Sequence, residues 1–211
     1  MDKKLILIGG GGHCKSVIEV AESAGYSILG ILDRPEEIGK KVLDYEIIGV
    51  DDDIPRYVNQ AEFVITIGFI KNPALRIRLY EKVLQDGGKL ATLVASTAYV
   101  SKYAQIGQGT VIMHKAFVNA GAIIGNNVII NTFANIEHDT HIGNQCHIST
   151  GTMINGDCQI GDNCFIGSQS VLANAISISS DVIIGAGSFI RKSIHQAGLY
   201  SGNPALLKIK Y

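Results

Sequence analysis

An aliphatic residue recurs at every sixth position through the second half of this chain. The series runs Val94, Val100, Ile106, Ile112, Val118, Ile124, Ile130, Ile136, Ile142, Ile148, Ile154, Ile160, Ile166, Leu172, Ile178, Ile184 and Ile190, without a slip. A fixed short repeat of this kind specifies a solenoid, whose units bury their apolar side only by stacking on neighbours. Gly, Asn or Asp often follow the aliphatic residue, as in Ile106-Gly107-Gln108-Gly109 and Ile160-Gly161-Asp162-Asn163. These residues tolerate corners and positive φ. The fifth position of each hexad is mostly small, as at Ala98, Ala116, Thr140, Cys146, Cys158, Cys164 and Ser170. A large inward residue, a small inward residue and a turn in each hexad predict a parallel β-helix. Three hexads, about eighteen residues, would close one triangular coil.

Composition narrows the function. The net charge is −1, which gives no electrostatic case for nucleic acid or an anionic membrane. No apolar run approaches the roughly 20 residues of a membrane span. Met1-Asp2-Lys3-Lys4 is followed only by Leu5 to Ile8, too short a run for a secretory signal; it reads as a buried first strand and a cytoplasmic address. The four cysteines form neither a disulfide framework nor a zinc pattern. Cys146, Cys158 and Cys164 occupy the small position of the repeat and are expected to pack as small hydrophobes. Cys14 lies in a glycine loop, with nothing beside it to mark a nucleophile.

Residues 1–93 have a different grammar, and the expected division is 1–93 and 94–211. Lys3 to Ile8 is an apolar strand ending in Gly9-Gly10-Gly11-Gly12-His13. Helical spacing follows through Val17, Ile18, Val20 and Ala21, then a strand from Ser27 to Leu32 ending at Asp33. Glu46 to Val50 and Phe63 to Ile67 read as further strands. Asn72-Pro73 opens a helix through Leu75, Leu79, Val83 and Leu84. Strands alternating with helices predict a small Rossmann-like α/β lobe with a parallel sheet. The glycine loop suits phosphate binding at a helix N-terminus, although a tight structural turn explains it too. The dinucleotide fingerprint fails, since Cys14 or Lys15 stands where its third glycine belongs; a dehydrogenase is disfavoured. Asp33 stands where such folds hold a ribose or sugar hydroxyl. Asp51-Asp52-Asp53 is read as a helix N-terminus, and no metal site is expected.

Of the six histidines, His138 stands out between Glu137 and Asp139. A carboxylate beside an imidazole raises its basicity and fixes its tautomer, as a general base near neutral pH requires. An ordinary surface cluster would look the same in sequence.

The glycine loop with His13, Leu32-Asp33, Ile65-Thr66-Ile67-Gly68, Asn131-Thr132, Ile136-Glu137-His138-Asp139, the hexads and Gly202-Asn203-Pro204-Ala205 occur in this order. In these motifs the chain resembles the sialic-acid O-acetyltransferase and bacillosamine-type nucleotide-sugar N-acetyltransferase family over nearly its whole length. The resemblance implies a left-handed β-helix, against the usual handedness of crossovers. It also implies a homotrimer with acetyl-CoA bound between adjacent β-helices, and a nucleotide sugar held by the lobe. It assigns His138 as the catalytic base and Asp139 as the residue that raises its basicity. His147, Ser168 and Ala186 match acetyl-CoA contacts; Gly11, Gly12, His13, Asp33, Arg34 and Gly68 match the nucleotide-sugar pocket. Thr132, Thr150, Ser168 and Ala186 share one register, so they should form a strip of small residues along the prism. Phe69-Ile70-Lys71 departs from the family pattern in a loop expected to touch the nucleotide or sugar. Leu206 stands where a basic residue is common.

The expected activity is acetyl transfer from acetyl-CoA to a nucleotide-linked amino sugar, a UDP-linked 4-amino-4,6-dideoxy sugar in surface-glycan or glycoprotein biosynthesis. A backbone N–H or His147 would polarise the thioester. O-acetylation of a sialic acid or related sugar is the alternative enzyme, and a scaffold that only binds nucleotide sugar is the non-catalytic one.

Overall fold

The computed structural model describes residues 3–210; Met1, Asp2 and Tyr211, at the outer ends of the two expected regions, lie outside the described residues. The lobe contains β1 (Lys3–Ile8), α1 (Gly12–Ser23), β2 (Tyr26–Leu32), β3 (Lys41–Val42), β4 (Tyr45–Gly49), a short α2 (Ile54–Tyr57), β5 (Glu62–Ile65) and α3 (Ala74–Gln85). Its sheet runs β3-β4-β2-β1-β5. β1 is central and pairs in parallel with β2 on one side and β5 on the other, and only the β3–β4 pair is antiparallel. The strand order reverses at β1, so a crevice opens beyond the carboxyl ends of β1, β2 and β5, where open α/β sheets bind ligands.

From β6 (Leu93–Val94) to β22 (Phe189–Ile190) the chain forms a left-handed parallel β-helix of short strands. Each strand pairs with the one eighteen residues on, as Ile130↔Ile148 and Ile148↔Ile166 illustrate. The second residue of each pair points inward, and these aliphatics fill the prism together with Ala122, Ala134, Cys146, Cys158 and Cys164, all fully buried. The three cysteine thiols donate to carbonyls of the next coil, as Cys146 Sγ does to Gly161 O.

Corners fall at every sixth residue with φ near +60°. Asn127, Asp139, Asp157, Asn163 and Asp181 sit there, as expected, but so do Lys115, Phe133, Gln145, Gln169 and Ala175. The left-handed region costs an ordinary residue roughly 1–2 kcal/mol. The ladder offsets it, because corner amides bond to the coil below, as Phe133 N–H does to His114 O and Gln169 N–H to Thr150 O.

The three faces differ in what they show outward. The first carries Val111, Ile129, His147, Phe165 and Ile183, buried beneath the lobe and its loops. The second carries Tyr99, Phe117, Asn135, Met153, Val171 and Phe189, with Tyr99 stacked on Phe117 at 4.7 Å. The third carries Gln105, Ile123, His141, Gln159 and Ser177. The lobe and the helix share one apolar cluster, in which Leu5, Leu7, Val17 and Ile18 meet Leu93, Ala95, Val111 and Met113.

Candidate active site

His138 follows β13 (Asn135–Ile136) and precedes β14 (His141–Ile142), at the corner between the second and third faces. Asp139 is the left-handed corner residue, φ 58°, and its amide donates to Ala120 O. That conformation turns its carboxylate back onto the imidazole, with Nδ1 and Oδ2 2.9 Å apart. A carboxylate only accepts, so Nδ1 carries the hydrogen and Nε2 is left basic. The His138 pKa is raised above its ordinary value, chiefly by this hydrogen bond; desolvation opposes it, and the charges of Asp139, Glu137 and Asp157 add to it. Glu137 faces elsewhere. It accepts hydrogen bonds from Asn135 Nδ2 at 3.0 Å and Asn119 Nδ2 at 2.7 Å, which hold its carboxyl below the usual range. Asp139, rather than Glu137, is the carboxylate in contact with the imidazole.

Two glycines seat this pair. A Cβ at Gly121, one coil below, would strike Asp139 Oδ1, and one at Gly156, one coil above, would lie 2.6 Å from His138 Nε2. Gly156 has no left-handed φ, so alanine fits its backbone and acts only through the imidazole. Gly156→Ala is expected to leave the melting temperature nearly unchanged and to lower kcat by about tenfold or more, since small misplacements of reacting groups are costly. Unchanged kcat would show that the imidazole seat is irrelevant to turnover.

His147 lies in β15 (His147–Ile148) on the first face, across the prism from the corner that holds His138. Its Nδ1 is 2.9 Å from Phe69 O, and Asn131 Nδ2 is 3.3 Å from its Nε2. A carbonyl only accepts, so His147 is the Nδ1–H tautomer. Burial, outweighing that hydrogen bond and joined by a smaller effect of Arg76, lowers its pKa to about 4. The imidazole is neutral with both nitrogens engaged and has no free N–H to polarise a carbonyl; of the two expected donors, a backbone N–H is left. What His147 does form is a wall. With Ser149, Phe165, Gly167, Ser168, Ile183, Ala186, Leu199, Ile70 and Lys71 it lines a cavity of about 560 Å³. The expected acetyl-CoA contacts His147, Ser168 and Ala186 thus meet at one place. Ser168 and Ala186 belong to the small-residue column, whose rungs include Gly187 N–H to Ser168 O. The wall is largely apolar; Ser149 and Ser168 bond each other at 2.8 Å.

A second cavity, of about 690 Å³, occupies the crevice of the lobe. Gly11, Asp33 and Arg34, three of the residues assigned to the nucleotide sugar, line it together with Asp51, Asp52, Leu75, Arg78 and Lys82. Asp33 is partly spent on its own loop, accepting from the Gly10 amide and the Arg34 amide. α1 begins at Gly12 with no acidic residue in its first turn, and its N-cap residue, Gly11, is the part of the helix start that lines the crevice. Gly12, His13 and Gly68 do not line this cavity. His13 instead faces His147, with ring centroids 6.2 Å apart, and Gly68 packs between them. Burial, then Arg76 and His147, lower the His13 pKa to about 3. The loop expected at the nucleotide lies elsewhere too: Phe69 packs edge-on against His147 and Phe165, and Ile70 and Lys71 face the first cavity.

The sequence reading missed the lining helix. Leu75, read only as part of the helical spacing, is 46% exposed and faces the crevice. The spacing of Leu75, Arg78, Leu79 and Lys82 is one helical stripe with two cations, a signal available from sequence. Among the described residues no cluster of three or more His, Cys, Asp or Glu is placed to hold a metal, and no helix is long and apolar enough to cross a membrane.

Comparison with known proteins gives the following. The PglD N-terminal domain model matches residues 4–83, and the bacterial transferase hexapeptide model, of six repeats, matches 139–174 and 157–192. The acetyltransferase domain of PglB from Neisseria gonorrhoeae FA1090 is 31% identical over 98% of this chain and all of its own, with a TM-score of 0.90; it has also been solved with acetyl coenzyme A. PerB from Caulobacter crescentus, solved with CoA and GDP-perosamine, is 29% identical over 97% of both chains, TM-score 0.90. The uncharacterized protein L142 of Acanthamoeba polyphaga mimivirus is 32% identical over 108 residues, and the chain spans 20% of its length.

Proposed function

From the premise that this chain belongs to the hexapeptide-repeat sugar acetyltransferases with a PglD-type N-terminal domain, we propose that it transfers the acetyl group of acetyl-CoA to the amine of a nucleotide-linked amino sugar. One observation carries the reading. A crevice suited to a nucleotide and an apolar cavity suited to a pantetheine arm lie on either side of the Ile67–Lys71 segment. PerB, with CoA and GDP-perosamine, is a structural relative.

In the lobe, the Gly11 end of the glycine loop and the cations Arg34 and Arg78 suit a diphosphate, and Asp33 and Asp51 suit hydroxyl or base N–H donors. Acetyl-CoA, when bound, supplies the acyl group. Ser168 and Ala186 would hold its arm along the small-residue column, and His147 and Phe165 would close the apolar wall and exclude water. His138 Nε2 takes the proton that the sugar amine loses as its nitrogen attacks the thioester carbon, Asp139 stabilises the resulting imidazolium, and the C–S bond breaks to release CoA thiolate, which takes up the proton. A backbone N–H is the donor left to polarise the thioester carbonyl.

His138 and the acyl cavity lie on different sides of one β-helix, so the base is supplied by a neighbouring subunit. The outward apolar row on the second face, with Tyr99 53% and Met153 42% exposed, suits burial in a closed homotrimer. Within the substrate class we put forward a UDP-linked 4-amino-4,6-dideoxy sugar. The test is a thermal-shift and acetylation panel of UDP-, GDP-, dTDP- and CMP-linked sugars with the free amino sugar and free sialic acid. A ligand that binds the native state raises the melting temperature, and remote binding energy should make the free amino sugar a poor substrate by about 100-fold or more. Efficient acetylation of free sialic acid, with no response to any nucleotide sugar, would overturn the reading. A response to GDP- or dTDP-sugars alone would overturn the UDP assignment.

A further inference from the structure

Arg76 is the largest fully buried side chain described, 1% exposed, and no carboxylate is among its hydrogen-bond partners. Its guanidinium bonds only to carbonyls. Nη1 donates to Ile65 O at 2.6 Å and Ile67 O at 2.9 Å; Nε and Nη2 donate to Asn127 O at 3.3 Å each. Burying a cation without a counter-ion is costly, and burial lowers even this guanidinium's pKa, to about 9. Aliphatic packing would stabilise such a position at less cost, so the geometry the guanidinium enforces is what needs explaining.

That geometry joins three things. Ile65 ends β5, and Ile67 leads directly into Gly68 and Phe69, whose carbonyl accepts the Nδ1–H of His147. Ile70 and Lys71 then form part of the acyl-cavity wall. Asn127 is a left-handed corner of the β-helix, fully buried, its amide nitrogen bonded to Gln145 Oε1. Helix α3, which carries Arg76, presents Leu75, Arg78 and Lys82 to the nucleotide crevice. The same helix is tied to the solenoid a turn later, where Tyr80 Oη accepts from Gln108 Nε2 at 2.8 Å. One face of α3 therefore meets the crevice, and the other is bolted to the coil below His147.

We propose that Arg76 is a positioning residue for acyl transfer: by holding the Ile65 and Ile67 carbonyls it fixes the segment that leads into the Ile70–Lys71 wall of the acyl cavity, and the tautomer of His147 with it, to the helix that lines the nucleotide crevice. This rests on the two-cavity reading of the function. Without the guanidinium the buried carbonyls of Ile65 and Asn127 and the half-buried carbonyl of Ile67 lose this donor. The Gly68–Phe69 segment then shifts, Phe69 O leaves His147, and the cavity wall loosens while the crevice side of α3 keeps its residues.

Arg76→Lys and Arg76→Met test this in the full-length protein. In Arg76→Met the KM for acetyl-CoA should rise at least about tenfold, since small misplacements far from the chemistry are costly, while the dissociation constant of the nucleotide sugar moves less than about threefold. Nitrogen-15 NMR should show His147 as the Nδ1–H tautomer in the wild type and as a mixture in Arg76→Met. Arg76→Lys, which can reach part of the carbonyl set, should fall between the two in both readouts. An unchanged acetyl-CoA KM with the tautomer preserved overturns the proposal. So do equal losses for both substrates that follow only the melting temperature, which indicate a scaffold role alone. If Arg76→Met does not fold, Arg76→Lys decides by the same criteria; if neither folds, Arg76 is structural and the proposal fails. A wild-type protein that binds no acetyl-CoA would sink the functional reading itself, a different result from any of these.

Discussion

Replacing His138 with alanine lowers kcat by about 100-fold or more, the usual scale for a general base, and leaves folding and assembly intact. The side chain is 58% exposed, so its removal leaves no cavity. Turnover close to wild type at saturating substrates would remove His138 from the mechanism. The pH profile gives an independent check. The imidazole accepts a proton only when neutral, and Asp139 raises its pKa above the ordinary 6.5. Wild-type activity should therefore climb with pH through that elevated value. Asp139→Asn removes the charged partner, so the acidic limb should move to lower pH and kcat should fall less than in His138→Ala. A limb that stays in place would assign the titration to another group.

Mixing two inactive variants should restore activity. Ala186→Trp fills the acyl cavity from an exposed corner without disturbing the core, and His138→Ala removes the base. Each alone has no complete site. If each site takes its cavity from one subunit and its base from the next, a junction that pairs a His138→Ala cavity with an Ala186→Trp base is complete. Random exchange in a closed ring of three makes about a quarter of the junctions complete, and activity should recover to about that fraction of wild type. Absence of rescue, with subunit exchange shown by mass, would place base and cavity in one chain.

A strict period makes position calculable. Once the hexad register was set, His138 and His147, nine residues apart, had to lie on opposite sides of the prism, and Ser168 and Ala186 had to share a column. The same register places Gly156 over His138, although only the packing shows that a side chain there would strike the ring. Outside the repeat the sequence was less informative. The glycine loop marks the start of α1 but does not say that its second residue, His13, turns toward His147 rather than into the crevice. The course of Phe69-Ile70-Lys71 is decided by contacts made 78 residues away, such as the bond from His147 to Phe69 O. Local propensity carries no trace of them. Corner residues such as Phe133 and Ala175 likewise have no αL preference of their own and are held there by the ladder.

The cluster under α1 has an evolutionary corollary. Val17 and Ile18 of the lobe are covered in part by Leu93, Ala95, Val111 and Met113 of the first coils, so apolar contact runs straight from the lobe into the start of the β-helix. Coils in the middle of the stack meet only their neighbours, and a descendant can gain or lose one as a block of three hexads while keeping the register. The lobe has no such freedom. A recombination point at the junction would bare apolar surface on both products, whereas a splice between middle coils bares nothing that a neighbouring coil does not cover again.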